Sequence, residues 1–314
     1  MTGVLYGFGV VVALVVLGWI IARTQVLGDG ARLILNRLVF FVATPALIFD
    51  NLARTTLDEV FTGVFVVSAV SAVLIAVLYT VVARVWLKPS GADLAVGALA
   101  SGYVNSANLG IPIALYVLGD FGFVMPLLLF QVVVLQPVVI AVLERATGEA
   151  GPSAGGAGGV VGSLVQAIRN PIVLGALAGL GVAALPWTPP DPLLEPVHLV
   201  GQISVPGALL VFGMSLFGVR VLEAGASPRR EIALASVLKL VAHPAIAYAI
   251  GAGLMGMQGH ELLTVVVAAA LPTAQNVLVV ATRYGRGTLL ARDSAVLTTL
   301  GALPVLLLIS ALLA

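Results

Sequence analysis

Two clusters of uncharged polar residues sit where so apolar a chain is not expected to hold them. Between Ser101 and Gly119 the sequence reads SGYVNSANLGIPIALYVLG and gathers Asn105, Ser106, Asn108, Gly110 and Pro112. Between Ala268 and Gly285 it reads AAALPTAQNVLVVATRYG, with Pro272, Thr273, Gln275 and Asn276. Amide side chains in hydrocarbon are costly unless they find partners. Proline lacks an N–H and clashes with the carbonyl one turn back, so a helix is expected to bend or break near Pro112. The chemistry open to these residues is recognition. Amides, hydroxyls and the freed N–H groups of half-helix N-termini can hold a small polar or anionic solute without a fixed charge. The competing explanation is that the prolines kink ordinary helices and the amides glue neighbours together. A single such stretch would favour that explanation; two at matching places in the chain favour a shared site.

Few titratable groups lie in apolar segments. Lys239 and His243, four apart in LKLVAHP, share one helix face. Lys239 reaches back to the interface in one reading. In the other it is a counter-charge for a carboxylate, or stands where a sodium ion would bind, and His243 titrates during proton coupling. Asp50, beside Asn51 at the end of an apolar segment, fits an interfacial residue as well as a coupling group. Gln131 and Gln136 are expected to face inward. There is no cysteine, no phosphate-binding Gly-rich loop followed by Lys-Ser/Thr and no His-Glu-x-x-His, and His198, His243 and His260 are scattered. No enzyme, cofactor, metal site or nucleic-acid partner is expected.

The elements that must position these residues are membrane helices. Of 314 residues 60% are hydrophobic and 9% charged, against about 25% charged in soluble domains. Mean hydropathy is +1.14. Apolar runs are long enough for helical spans rather than membrane strands. Ten spans are predicted: Val4–Ile21, Leu33–Leu52, Val60–Trp86, Leu94–Leu118, Phe123–Leu143, Pro171–Leu185, Val197–Val219, Ile232–Met255, Leu262–Thr282 and Ala295–Leu313. The first lacks a basic lead and a cleavage site and is read as a span rather than a signal peptide. A Pro-rich loop is expected over Trp187–Pro196. Thr147–Gly159, TGEAGPSAGGAGG, is a flexible linker. The organisation is thus residues 1–145, a linker over 146–169, and residues 170–314.

The halves echo each other. Ala43-Thr44-Pro45-Ala46-Leu47 in span two resembles Ser204-Val205-Pro206-Gly207-Ala208 in span seven, and spans four and nine are the interrupted pair. Five spans per half make the second half inverted, a pattern of secondary transporters. Thirteen of the 15 Lys and Arg fall after odd-numbered spans, with Arg54 alone opposite and Lys239 within a span. The positive-inside rule then puts both termini outside and the linker in the cytoplasm of a cell-membrane protein.

These residues resemble the auxin efflux carrier family, which includes plant PIN-FORMED carriers and bacterial malate or malonate carriers. The resemblance rests on Ala43-Thr44-Pro45, Asn105-Ser106 with Gly110-Ile111-Pro112, and Leu271-Pro272-Thr273-Ala274 with Asn276 and Arg283-Tyr284-Gly285. It implies a ten-helix fold of two inverted five-helix repeats. Spans one, two, six and seven would form a scaffold; three to five and eight to ten, with four and nine crossing, would form a transport domain. It implies elevator-type movement of an organic anion such as an auxin-like acid or a dicarboxylate, binding at Asn105 with Gln131 as the fifth-span candidate, and homodimers. The chain departs from the plant carriers at Val104, where they have proline, and in its short linker. The alternative is a sodium- or proton-coupled importer of bile-acid-like solutes on the same fold.

Overall fold

The computed structural model describes residues 2–28, 30–54, 63–119, 123–147, 170–185, 189–218 and 221–313. Residues 148–169 of the expected linker, Asp58, Glu59 and Arg220 lie outside them, while Ala146 and Thr147 belong to the last helix before it. In chain order the helices are α1 (Thr2–Thr24), α2 (Ala31–Ala53), α3 (Gly63–Trp86), α4 (Gly91–Gly102), α5 (Ser106–Leu118), α6 (124–147), α7 (Pro171–Ala183), α8 (Asp191–Leu216), α9 (Arg229–Leu254), α10 (Gly259–Ala270), α11 (Asn276–Arg283) and α12 (Thr288–Leu313). Helices α2, α3, α8, α9 and α12 are each long and apolar enough to cross a membrane. The two polar stretches are both split, into α4 with α5 and α10 with α11.

Helix α3 shows how sequence sets a helix's place. Val67, Ser71, Ile75, Tyr79 and Ala83 recur every fourth residue and are buried, while Val66, Val70, Val77 and Val81 are exposed. The inward stripe carries the polar residues and the outward one is apolar, the reverse of a water-soluble helix. Such a face suits lipid.

Prolines leave a repeated local signature. Wide turns with i→i−5 hydrogen bonds cover Val39–Ala43, Ser106–Gly110, Gln131–Leu135 and Leu238–Ala242. Each ends two residues before a proline: Pro45, Pro112, Pro137 and Pro244. A proline ring collides with the carbonyl four residues back, and in every case that carbonyl sits in the widened turn, which moves it aside. Pro112 therefore does not sever its helix. The chain leaves helical geometry earlier, after Gly102.

Helix α8 begins at Asp191, so the expected Pro-rich loop is half helix. Pro192 lies in the first turn, where N–H groups have no intrahelical partner, and Pro196 falls just beyond it at the cost of one bond.

Two sets of helices pack most closely among themselves, and α1 also packs along the second half of α5. Helix α1 lies along the second half of α8, and α2 lies against α7 and α8. The other group is built on α3 against α4, α9 against α10 and α12, and α4 against α6. Glycines let the first group approach backbone to backbone. A Cβ on Gly213 would strike the Val15 carbonyl, and one on Gly18 the Leu210 carbonyl. Thr44 Oγ1 and Ser204 Oγ, beside the two echoing prolines, share a buried 2.8 Å hydrogen bond between α2 and α8.

Candidate functional site

The two broken stretches meet. Val104 and Thr273 form an antiparallel β-bridge. Asn105 N donates to Pro272 O at 2.8 Å, and Ala274 N donates to Tyr103 O at 3.2 Å. Each break thus supplies the hydrogen bonds the other lost on leaving its helix, as buried backbone requires. Thr273 Oγ1 donates to the Ala100 carbonyl at 2.6 Å, and Thr273 N donates to Thr298 Oγ1 at 3.1 Å.

Gln131 braces the first break from α6. Its Oε1 accepts from Val104 N at 2.6 Å and its Nε2 donates to Ser106 Oγ at 2.9 Å. A proline at position 104 would have no N–H to offer Gln131, so Val104 is consistent with this bracing. Asn105 Oδ1 accepts from Asn108 N at 3.2 Å and so caps α5. Its Nδ2 is buried and has no hydrogen-bond partner among the described residues. The Asn276 side chain, at the start of α11, hydrogen-bonds the Tyr103 hydroxyl.

A cavity of about 100 Å³ lies against this arrangement, lined by Asn105, Ser106, Asn108, Gln275 and Asn276 among others. A larger one of about 400 Å³ runs between α2 and α8 on one side and α11 and α12 on the other, with Arg32 and Arg292 in its wall. The two share Asn36, Gln275 and Val279. Gln275 Nε2 also reaches Ser215 Oγ on α8 at 3.4 Å. The small cavity thus offers neutral donors, and the larger one beside it has Arg32 and the Asp293-paired Arg292 in its wall.

The predicted residues sort by role. Asn105, Ser106, Asn108, Gln275 and Asn276 line the small cavity. Gln131, Thr273 and Pro272 hold the breaks together instead. Pro112 lies within α5, in a short α-helical step between two wide turns. Lys239 and His243 are absent from the lining and meet each other within α9. Asp50 accepts from Arg54 Nε at 3.0 Å and pairs with His198 Nδ1 at 2.7 Å, joining α2 to α8. The side chain of Gln136 lies outside the described residues.

Several contributors carried no sequence signal. Thr298 supports the crossing through its hydroxyl, and Tyr103 through its carbonyl and its hydroxyl. Asp293, fully buried, accepts from Leu222 N, Ser227 Oγ and Arg292 Nε, fastening a loop to the start of α12. The Arg283-Tyr284-Gly285 motif is a helix stop. Gly285 has φ +59, and the N–H groups of Gly285 and Arg286 return to the carbonyls of Thr282 and Ala281.

A family model described as "Membrane transport protein" matches residues 9–149 and 161–310. A protein of Rhizobium meliloti (strain 1021) described as "Putative malonate transporter" is 28% identical over 291 residues, covering 91% of this chain and 88% of its own. An "Uncharacterized transporter" of Methanothermobacter thermautotrophicus is 32% identical over 117 residues, covering 36% of this chain and 38% of its own.

Proposed function

We propose, from the premise that the chain belongs to this membrane transport protein family, the auxin efflux carriers of the resemblance, that it is a secondary carrier of small organic anions. The observation that carries the site is Asn105: a capping oxygen engaged, an Nδ2 donor buried without a partner, and a cavity in front of it. An unsatisfied buried donor is costly, and a carboxylate oxygen supplies the missing acceptor. Asn276 and the N-terminal ends of α5 and α11 add donors and favourable dipole ends. Malonate, named for the relative, is the first substrate to test, and its charge suits an approach with Arg32 in its wall.

The larger reading is ten spans in two inverted repeats, with both termini outside. Contacts between equivalent regions support it: the backbone bridge of the two crossovers, and Thr44 against Ser204. Helices α1, α2, α7 and α8 would be the scaffold, and the remainder would carry the anion past it in elevator fashion. The large cavity then opens to the cytoplasm, where the arginines lie. Uptake of labelled malonate into proteoliposomes tests the reading. A KM for malonate raised at least tenfold in N105A and N276A, with folded protein retained, is expected; uptake unchanged in both rejects the site.

A further inference from the structure

A second buried polar chain lies apart from the anion cavity. Lys239 is 0% exposed, His243 1% and Ser71 0%. Lys239 Nζ lies 3.1 Å from His243 Nδ1, and His243 Nε2 lies 3.3 Å from Ser71 Oγ on α3. Ser71 Oγ donates to the Ser68 carbonyl at 3.2 Å. The hydrogens therefore run one way. Ser71 spends its proton on Ser68 and accepts from Nε2, leaving Nδ1 to accept from the lysine.

Among the described residues, the surroundings give this pair no fixed counter-ion. Titratable groups on helices contacting it are Tyr79 and Arg84 (α3), Asp93 (α4), Arg229, Arg230, Glu231 and Tyr248 (α9), His260 and Glu261 (α10), and Arg292 and Asp293 (α12). Among the described residues none hydrogen-bonds or ion-pairs with Lys239 or His243. A buried ammonium without a carboxylate is expensive in an apolar interior, so the pair is no ion-pair strut. Lys239 also sits in the wide turn ahead of Pro244, a kind of irregularity frequent at functional sites.

The chain also reaches the crossing. Ala72, next after Ser71, puts its carbonyl against Gly102, the last residue of α4, where a Cβ would lie 2.8 Å from that oxygen. A shift of α3 at Ser71 is thus felt three residues before Asn105. We propose that Lys239, His243 and Ser71 form an internal proton-binding site that couples anion movement to proton movement. The inference rests on the carrier reading for its role, but the proton site is open to a test of its own.

Proteoliposomes with the membrane potential clamped are given a pH gradient of either polarity and labelled malonate. One proton per anion supports accumulation of about tenfold per pH unit. Wild-type protein should accumulate malonate in one polarity; H243Q and K239M should fall to a ratio of one while keeping malonate exchange at equal pH. Independently, ¹⁵N-histidine labelling of the H198Q/H260Q protein leaves His243 as the sole imidazole. Its nitrogen shifts should report Nε2–H at neutral pH, titrate, and move in K239M. Malonate exchange without gradient drive in the wild type, full drive in H243Q, or a His243 signal indifferent to pH would each overturn the proposal. If wild-type protein exchanges no malonate at all, malonate fails as the substrate and the imidazole titration decides the proton site.

Discussion

Asn105 can be divided into its two functions by substitution. Asn105→Asp retains an oxygen to cap α5 at Asn108 N but replaces the unpartnered Nδ2 with an anionic oxygen. Asn105→Ala removes both. A hydrogen bond to a charged group contributes about 1.5–3 kcal/mol, or about tenfold to 150-fold in affinity. Both variants should therefore raise the KM for malonate at least tenfold, and the Asp variant more, because two carboxylates would then face each other. Stability should separate them. Loss of the cap costs about 1 kcal/mol, so Asn105→Ala should unfold earlier in detergent, and Asn105→Asp, which keeps the cap but buries an unpaired charge, should unfold earlier still. The assays are initial uptake rates in proteoliposomes and thermal unfolding of the same preparations. An Asp variant with unchanged KM would refute the assignment of Nδ2 to the anion.

Other residues give sharper structural outcomes. Gln131→Met leaves Val104 N–H buried without an acceptor and should cost about 1–3 kcal/mol, read as a lowered unfolding temperature, with Gln131→Glu milder because its oxygen remains. Thr273→Val keeps shape but loses the 2.6 Å bond to Ala100 O, and should cost about 1 kcal/mol. Gly213→Ala forces α1 away from α8 and should cost about 1–3 kcal/mol, lowering folded yield without changing the KM of what folds. Arg32→Gln should slow uptake at low salt and converge on wild type at high salt, where long-range attraction is screened.

What the chain disclosed in advance followed residue type. Asn105, Ser106 and Asn276 stand out because amides in long apolar runs need a reason, and they do line the cavity. The pairing of Val104 with Thr273 was hidden, because backbone donors and acceptors look alike in every residue. Pro112 pointed to the right helix but the wrong turn: its clash is absorbed by a widened turn, and the chain parts at Tyr103 instead. The bond between Asp50 and His198, 148 positions apart, needed the tertiary fold, as did that between Ser71 and His243. Distance along the sequence conceals such partners when nothing periodic marks them.

The backbone stitch between the two breaks has a mechanical corollary. Tyr103 through Asn105 and Pro272 through Ala274 are sewn edge to edge by main-chain bonds, so neither half of the cradle can travel without its twin. On the carrier reading proposed above, exposing the solute first to one compartment and then to the other would shift this cassette whole. A disulfide bolted inside it should leave turnover running, whereas one pinning α11 to α8 should jam the machine with its cargo aboard.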